Sequence, residues 1–201
     1  SGCSSLSSIE IPSGVTFIDS GTFSGCSNLA SIEIPSGVTS IGDEAFYRCS
    51  SLSSIEIPSG VTSIGDETFR GCSSLSSIEI PSGVTSLEYS TFEGCSSLAS
   101  VVFGENSQLT SIEWEAFYGC SSLSSIEIPS GVTSIGYDAF CGCSSLADVT
   151  FGENSQLTSI GSYAFENCSS LTSIEIPSGV TSIDSSAFYG CSSLETIIVE
   201  E

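Results

Sequence analysis

The chain has almost no basic residues. None of its 201 residues is histidine or lysine, and Arg48 and Arg70 stand against 24 acidic residues, which gives a net charge of −22. Nucleic-acid affinity comes largely from Lys and Arg on phosphates, so this charge argues against a nucleic-acid partner. It also argues against anionic membrane surfaces, and no run of about 18 apolar residues is present to span a bilayer. We therefore expect no nucleic-acid binding and no membrane insertion.

The missing residue types also exclude most catalytic sites. Without histidine, no Ser-His-Asp or Cys-His site can form. Without lysine, there is no Schiff base and no phosphate-loop lysine. Carboxylates are abundant, but every pair is a copy of a repeated position, whereas glycoside hydrolysis needs two carboxyls in different surroundings beside a cleft. We predict that the chain is not an enzyme and uses no cofactor.

Nine of the ten cysteines mark an internal repeat. They are separated by steps of 23 residues, with two steps of 25, and only Cys141 is out of phase. The nine are Cys3, Cys26, Cys49, Cys72, Cys95, Cys120, Cys143, Cys168 and Cys191. Such a period predicts one elongated domain over residues 1–201, in which about eight units of 23–25 residues contact only their neighbours. We interpret the chain as a fragment of, or a unit within, a longer array.

Residues 49–71, CSSLSSIEIPSGVTSIGDETFRG, represent the unit. Leu52, Ile55 and Ile57 have the L-x-x-I-x-I spacing of the strand in a leucine-rich repeat. Stacked units would superpose equivalent residues about 4.8 Å apart and build ladders inside a solenoid. The leucine ladder is Leu6, Leu29, Leu52, Leu75, Leu98, Leu123, Leu146, Leu171 and Leu194, and the phenylalanine ladder is Phe23, Phe46, Phe69, Phe92, Phe117, Phe140, Phe165 and Phe188.

The rest of the unit predicts turns and a second strand. Pro58 and Gly60 end the first strand, and the β-branched segment 61–64 is extended. Residues 66–69 are typical of one short helical or 3₁₀ turn, with acidic side chains at its positive end. The predicted fold is a β-rich leucine-rich-repeat solenoid with short helical turns.

The pattern C-S-S-L-x-S-I-x-I-P-S-G-V-T-S-I-G-x-x-A-F-x-G closely resembles the BspA-like, or Treponema pallidum-type, leucine-rich repeats over the whole chain. The resemblance implies a right-handed solenoid with its strand ladder on the concave side. That family is found mainly in surface and secreted proteins of bacteria and some protists, where it mediates adhesion. It therefore implies an extracellular or cell-surface protein that adheres or binds proteins, and it carries over no catalytic residues.

One outward strand position forms the main candidate binding surface, which we call the glutamate stripe. Its members are Glu10, Glu33, Glu56, Glu79, Val102, Glu127, Thr150 and Glu175. Like charges on adjacent strands repel, and either the side chains are simply solvated or the stripe attracts cations or a basic partner. Oxygen ligands favour Ca²⁺, so weak calcium binding at Glu33, Glu56 and Glu79 is one expectation.

Threonine occupies another position in every unit: Thr16, Thr39, Thr62, Thr85, Thr110, Thr133, Thr158 and Thr181. β-Propensity and repeat duplication explain the stripe, while O-linked glycans and ice binding are alternatives. Two units are longer, because IPSGVTSI becomes FGENSQLTSI at Phe103–Ile112 and Phe151–Ile160. We expect both loops to project from the same edge of the solenoid.

We interpret the periodic cysteines as buried free thiols, with disulfides between adjacent units as an alternative. Zinc sites need clustered ligands such as C-x-x-C, and none occurs. We expect Cys141 to face outward, as an intermolecular partner or a neutral replacement.

Two functions follow. The first is adhesion or protein binding on the concave face, with Val102, Thr150, Trp114 and Tyr137 giving local specificity. The alternative is an extracellular filament subunit that stacks end to end, because open solenoid ends are unpaired sheet edges.

Overall fold

The computed structural model describes residues 2–199, so the last two glutamates of the predicted final strand lie outside the described residues. The strands are β1 (Phe17–Ile18), β2 (Ser40–Ile41), β3 (Ser63–Ile64), β4 (Ser77–Ile80), β5 (Ser86–Leu87), β6 (Ser100–Phe103), β7 (Ser111–Ile112), β8 (Ser125–Ile128), β9 (Ser134–Ile135), β10 (Asp148–Phe151), β11 (Ser159–Ile160), β12 (Ser173–Ile176), β13 (Ser182–Ile183) and β14 (Thr196–Val199). Every strand pair is parallel and joins equivalent positions of successive units, as Ile41 and Ile64 show. The predicted leucine-rich-repeat solenoid is confirmed.

Each unit contributes to two strand ladders. The L-x-x-I-x-I segments pair as β4–β6, β8–β10 and β12–β14, and nearer the N-terminus they form single bridges, Glu10 to Glu33 and Glu33 to Glu56. The two-residue strands form the second ladder, in the orders β1–β2–β3 and β5–β7–β9–β11–β13. The burial of alternate residues in the first ladder follows the predicted pattern, with Ile78 and Ile80 inside and Glu79 outside.

The predicted helical turn at residues 66–69 is wrong, since no residue between 2 and 199 is helical. Glu67 has a φ of 52°, in the left-handed region that interrupts a right-handed helix. The amides of Glu67, Phe69 and Gly71 donate instead to the carbonyls of the next unit, at N···O distances of 2.8, 2.9 and 2.7 Å. The segment is therefore a series of turns that forms a third ladder between units. With no helix present, the described chain has none long and apolar enough to cross a membrane.

The core is a continuous column of the predicted ladders. The phenylalanine rings from Phe23 to Phe188 stack with neighbouring centroids 5.2–5.5 Å apart. Phe46 and Leu52 are fully buried, and burying one such side chain contributes roughly 1.5–3 kcal/mol. Repetition of this contribution along the stack stabilises a protein whose units could not fold alone.

The cysteine position fills the junction between units, and from Cys26 to Cys168 the periodic thiols are free and buried, as predicted. The seven periodic thiols from Cys49 to Cys191 also donate hydrogen bonds to backbone carbonyls. The Sγ atoms of Cys49 and Cys72 lie 3.1 and 3.2 Å from the carbonyl oxygens of Phe23 and Phe46. Burial raises the pKa of Cys49 to about 12, so these thiols stay protonated and able to donate.

Candidate binding surfaces

The glutamate stripe lies on the outer side of the first strand ladder. All eight predicted residues are exposed, and Val102 is 54% exposed opposite Glu79, while Thr150 lies opposite Glu127. Two rungs of the stripe therefore carry no charge. The outward orientation is confirmed, whereas binding at these residues, including weak calcium binding, stays a prediction.

The two long loops border one groove beside this stripe. The groove encloses about 490 Å³ and is lined by Val102, Glu105 and Asn106 on one side and by Glu153 on the other, with Pro129 between them. The expectation that both loops occupy the same edge is thus met. The amides of Gly104 and Gln108 donate to the preceding unit at 2.9 and 2.8 Å, which fixes the first loop.

The threonine stripe is exposed, but five of its eight hydroxyls donate to backbone carbonyls of the preceding unit. The Oγ1 atoms of Thr110 and Thr158 donate to the carbonyls of Thr85 and Thr133, both at 2.9 Å. Each such bond joins one unit to the previous one. The stripe therefore has a structural role that explains its repetition, and glycan attachment stays a prediction.

Three aromatic side chains form a further surface, which we call the aromatic patch. Tyr89, Trp114 and Tyr137 occupy the same position of three consecutive units and are 39%, 61% and 42% exposed. They line one cleft with four carboxylates, Asp66, Glu88, Glu113 and Glu115. Trp114 and Tyr137 were predicted to give local specificity together with Val102 and Thr150, but Val102 lines the groove beside the glutamate stripe and not this cleft.

The patch is held by ring contacts and by a glycine. The centroids of Trp114 and Tyr137 are 6.3 Å apart, and those of Tyr137 and Tyr163 are 5.8 Å apart, both edge to face. A Cβ atom at Gly136 would lie 2.9 Å from the backbone nitrogen of Trp114 and 3.0 Å from its ring. The absence of a side chain at Gly136 therefore lets the indole lie against the next unit.

The edge formed by the turn ladder carries an ion-pair network, which we call the arginine triad. Arg70 binds Glu67 in its own unit at 2.9 Å and Glu93 in the next unit at 3.0 Å. Its guanidinium also lies 5.9 Å from the ring of Tyr47, and Arg48 lies 5.0 Å from the same ring. Both arginines of the chain therefore contact an aromatic ring here, and Arg70 also pairs with two carboxylates.

Further along the same edge, Asp138, Cys141 and Glu166 form what we call the cysteine triad. One ligand atom from each lies within 4.8 Å of the other two. Cys141 is 6% exposed, so the prediction that it faces outward is wrong. Tyr118 and Glu166 hold the same position in the two adjoining units, and an oxygen of Glu166 lies within 4.8 Å of the Cys141 Sγ atom.

The surroundings of the cysteine triad favour protonated forms. Burial, together with the negative charges of Asp138 and Glu166, raises the pKa of Cys141 to about 12. Burial also raises the pKa of Asp138, and Glu166 and Glu115 add to the effect by charge repulsion. The Cys141 thiol is therefore protonated at neutral pH.

Neither the complete aromatic patch nor the cysteine triad was predicted from the sequence. Both leave a signal there: three aromatic residues at one repeat position, and D-x-x-C at 138–141 in the place of E-x-x-R at 67–70. These residues depart from the repeat, so the shared ladders do not indicate them.

Comparison with known proteins agrees with the repeat. A family model described as the BspA type leucine rich repeat region matches residues 1–109 and 110–201 with six copies. The leucine-rich repeat protein of T. pallidum, TpLRR, is 29% identical with a TM-score of 0.57, over 85% of this chain and 67% of that one. The pneumococcal vaccine antigen PcpA shares the fold at 24% identity and a TM-score of 0.52, over 96% of this chain and 40% of that one. No curated protein matches in sequence. The chain belongs to the BspA-type leucine-rich repeat family.

Proposed function

We propose that this chain is a non-catalytic protein-binding module of the cell exterior, and that it holds a basic protein partner on the aromatic patch. Its repeat family and solenoid fold are generally non-catalytic. A likeness to a pneumococcal vaccine antigen is in keeping with an exterior location. Adhesion would be the cellular consequence of such binding.

The observation that carries the proposal is the exposure of Trp114 between Tyr89 and Tyr137. Energetically dominant residues of protein interfaces are enriched in Trp, Tyr and Arg, and contiguous exposed apolar surface marks interaction sites. A stacked core does not need these rings, because the same position carries Ser162 and Ser185 in other units. The aromatic side chains are thus additions to the repeat, not requirements of it.

The charge around the patch indicates the chemistry of the partner. Four carboxylates border the three rings, and the whole chain carries −22. A guanidinium can stack on an indole or phenol ring and pair with a carboxylate at once. Arg70 does both within this chain, near Tyr47 and against Glu67 and Glu93. A partner that presents arginine would repeat that arrangement at Trp114.

Trp114 is the chain's single tryptophan, so its fluorescence reports on the patch alone. The test is a titration with an arginine-rich peptide, compared with a lysine-rich peptide of equal charge. We expect a saturable change with the arginine peptide and weaker binding of the lysine peptide, because Lys lacks the planar group that stacks. Calorimetry then measures variants in which the fluorophore or its neighbour is changed.

The variants Trp114→Ser and Tyr137→Ser use the residue found at this position in other units, so the fold is expected to persist. We expect each variant to lower the affinity for the arginine peptide about tenfold or more. A tenfold loss corresponds to about 1.4 kcal/mol of binding free energy, within the range for an energetically dominant interface residue. The double variant E33S/E56S is the matched control on the glutamate stripe and should bind normally. If the affinity depends on Glu33 and Glu56 instead, the partner binds the stripe and the patch proposal is wrong.

End-to-end stacking is a second proposal, favoured by the outermost described strand. In β14, Ile197, Ile198 and Val199 are 47%, 47% and 63% exposed, and the strand pairs only with β12 among residues 2–199. An apolar strand with one open edge can pair with another chain. Light scattering tests this: a mass that grows with concentration supports stacking, and a monomer at all concentrations contradicts it.

A further inference from the structure

The cysteine triad occupies the same three repeat positions as the arginine triad. Glu67 and Asp138 both have positive φ angles, 52° and 55°. The backbone bonds to the next unit also correspond, because the amides of Gly71 and Gly142 donate to the carbonyls of Glu93 and Glu166 at 2.7 and 2.8 Å. The two sites therefore have one backbone and different central side chains.

The two sites differ in the side chain that lies between the two carboxylates. In the arginine triad a guanidinium binds both, at 2.9 and 3.0 Å. In the cysteine triad the central residue is Cys141, which supplies no positive charge. An oxygen of Asp138 and one of Glu166 lie within 4.8 Å of its Sγ atom. Neither of the chain's two arginines belongs to this part of the solenoid.

A buried oxygen in the cysteine triad also lacks a partner. Asp138 is 9% exposed. Its carboxyl hydrogen-bonds to the side chains of Tyr137 and Cys141, but its Oδ1 atom accepts no hydrogen bond. Burying such an atom unpaired costs free energy. Glu93 has a similar oxygen, Oε2, but its Oε1 is bound to Arg70. Asp138 has no cation to offset its burial.

We propose that Asp138, Cys141 and Glu166 bind a divalent cation of intermediate softness, such as Zn²⁺. A thiolate disfavours Ca²⁺ and Mg²⁺, and its combination with carboxylates suits Zn²⁺ or Co²⁺. Three protein ligands leave a fourth tetrahedral position for water. The ion takes the place of the Arg70 guanidinium and satisfies the unpaired oxygen of Asp138.

The distances are compatible with this ion after small side-chain movements. Zinc lies about 2.3 Å from a thiolate and about 2.0–2.2 Å from a carboxylate oxygen, so its ligands are separated by about 3.5 Å. The three atoms are already within 4.8 Å of one another. Binding replaces the thiol proton of Cys141, which is released to solvent as the sulfur–metal bond forms. No oxidation or reduction is involved.

The test is a titration of the reduced, metal-free chain with Co²⁺, whose bond to a thiolate gives a near-ultraviolet charge-transfer band. We expect one equivalent to bind with that band and Zn²⁺ to displace it. The variant Cys141→Ser keeps a small side chain and all the other cysteines, and should lose the band and about 100-fold or more of the affinity, since even indirect ligand supports cost 10–100-fold.

The second variant is Cys141→Arg, which places an arginine at the central position, as in the arginine triad. It should stay folded by circular dichroism and bind no Co²⁺. A charge-transfer band that persists in either variant would place the metal on another cysteine and overturn the proposal. So would binding without the band, or no binding to the native chain at about millimolar Co²⁺.

Discussion

The arginine triad and the cysteine triad are two versions of one site, three units apart in the sequence and alike in backbone conformation. Glu67, Arg70 and Glu93 form a closed ion-pair network, whereas Asp138, Cys141 and Glu166 gather negative and acidic groups around a thiol. The comparison teaches that the repeat fixes where side chains meet and leaves open what they do there. The replacement of Glu67 and Arg70 by Asp138 and Cys141 at the equivalent positions turns a stabilising contact into a candidate ligand site.

Removing the arginine should have the largest effect on stability. We predict that Arg70→Met lowers the free energy of unfolding by about 2 kcal/mol, because two partly buried carboxylates lose their charged partner. Partial exposure of the three side chains keeps the loss below that of a fully buried pair. Urea unfolding measures it, and the triple variant E67Q/R70M/E93Q should recover most of the loss. Equal stability of Arg70→Met and the native chain would show that the network contributes nothing.

Introducing an arginine into the cysteine triad should stabilise the protein. Cys141→Arg places a guanidinium between Asp138 and Glu166, and we predict a gain of about 1 kcal/mol in metal-free buffer, within the range for charged hydrogen bonds at a partly exposed site. The gain should shrink at high salt because the screening length falls to about 3 Å at 1 M. A destabilised variant would mean that the two sites are not equivalent.

The raised pKa of Asp138 predicts a pH-dependent effect of the Asp138→Asn variant. Burial makes the folded carboxyl hold its proton more tightly than the unfolded one. The resulting stabilisation is complete below the ordinary value of 3.8 and is lost as pH rises through the raised pKa. Asn tolerates the left-handed backbone, so the variant should melt higher than the metal-free native chain at about pH 7. That advantage should disappear near pH 3.5, and an advantage that grows toward low pH would contradict the assignment.

The smallest expected effect is a difference in thiol reactivity between Cys141 and Cys3. A thiol with a pKa of about 12, such as that of Cys141, is ionised to only about one part in ten thousand at pH 8, and the thiolate is the reactive form. We predict that iodoacetamide labels exposed Cys3 in the native chain long before Cys141, with sites assigned by peptide mass. Unfolding should make all ten equally reactive. Early labelling of Cys141 would mean that the triad is open.

Much of the fold could be predicted because every unit buries the same side-chain positions against its neighbours. The spacing of Leu52, Ile55 and Ile57 determines which side of the strand is buried, and Phe46 has the same neighbours as Phe69. The outward direction of Glu79 follows from the alternation of a strand. These features depend on periodicity, which the sequence displays directly.

The errors have local causes that periodicity does not show. The segment from Asp66 to Phe69 looks helical in composition, but Glu67 takes a left-handed conformation so that alternate amides reach the next unit. Cys141 was placed outside by comparison with bulky Tyr47 and Tyr118, although a short side chain at that position is covered by its neighbours. The aromatic patch and the cysteine triad depend on contacts between units at non-repeated residues, and no single unit reveals them.

The most direct measurement is an anomalous difference map at the zinc absorption edge, from crystals grown with one equivalent of Zn²⁺. We expect a peak about 2.3 Å from the Sγ atom of Cys141 and about 2.0–2.2 Å from oxygens of Asp138 and Glu166. We expect no peak between Glu67 and Glu93, where Arg70 already lies. A map with zinc only along the glutamate stripe, or with none at the cysteine triad, would contradict the proposed metal site.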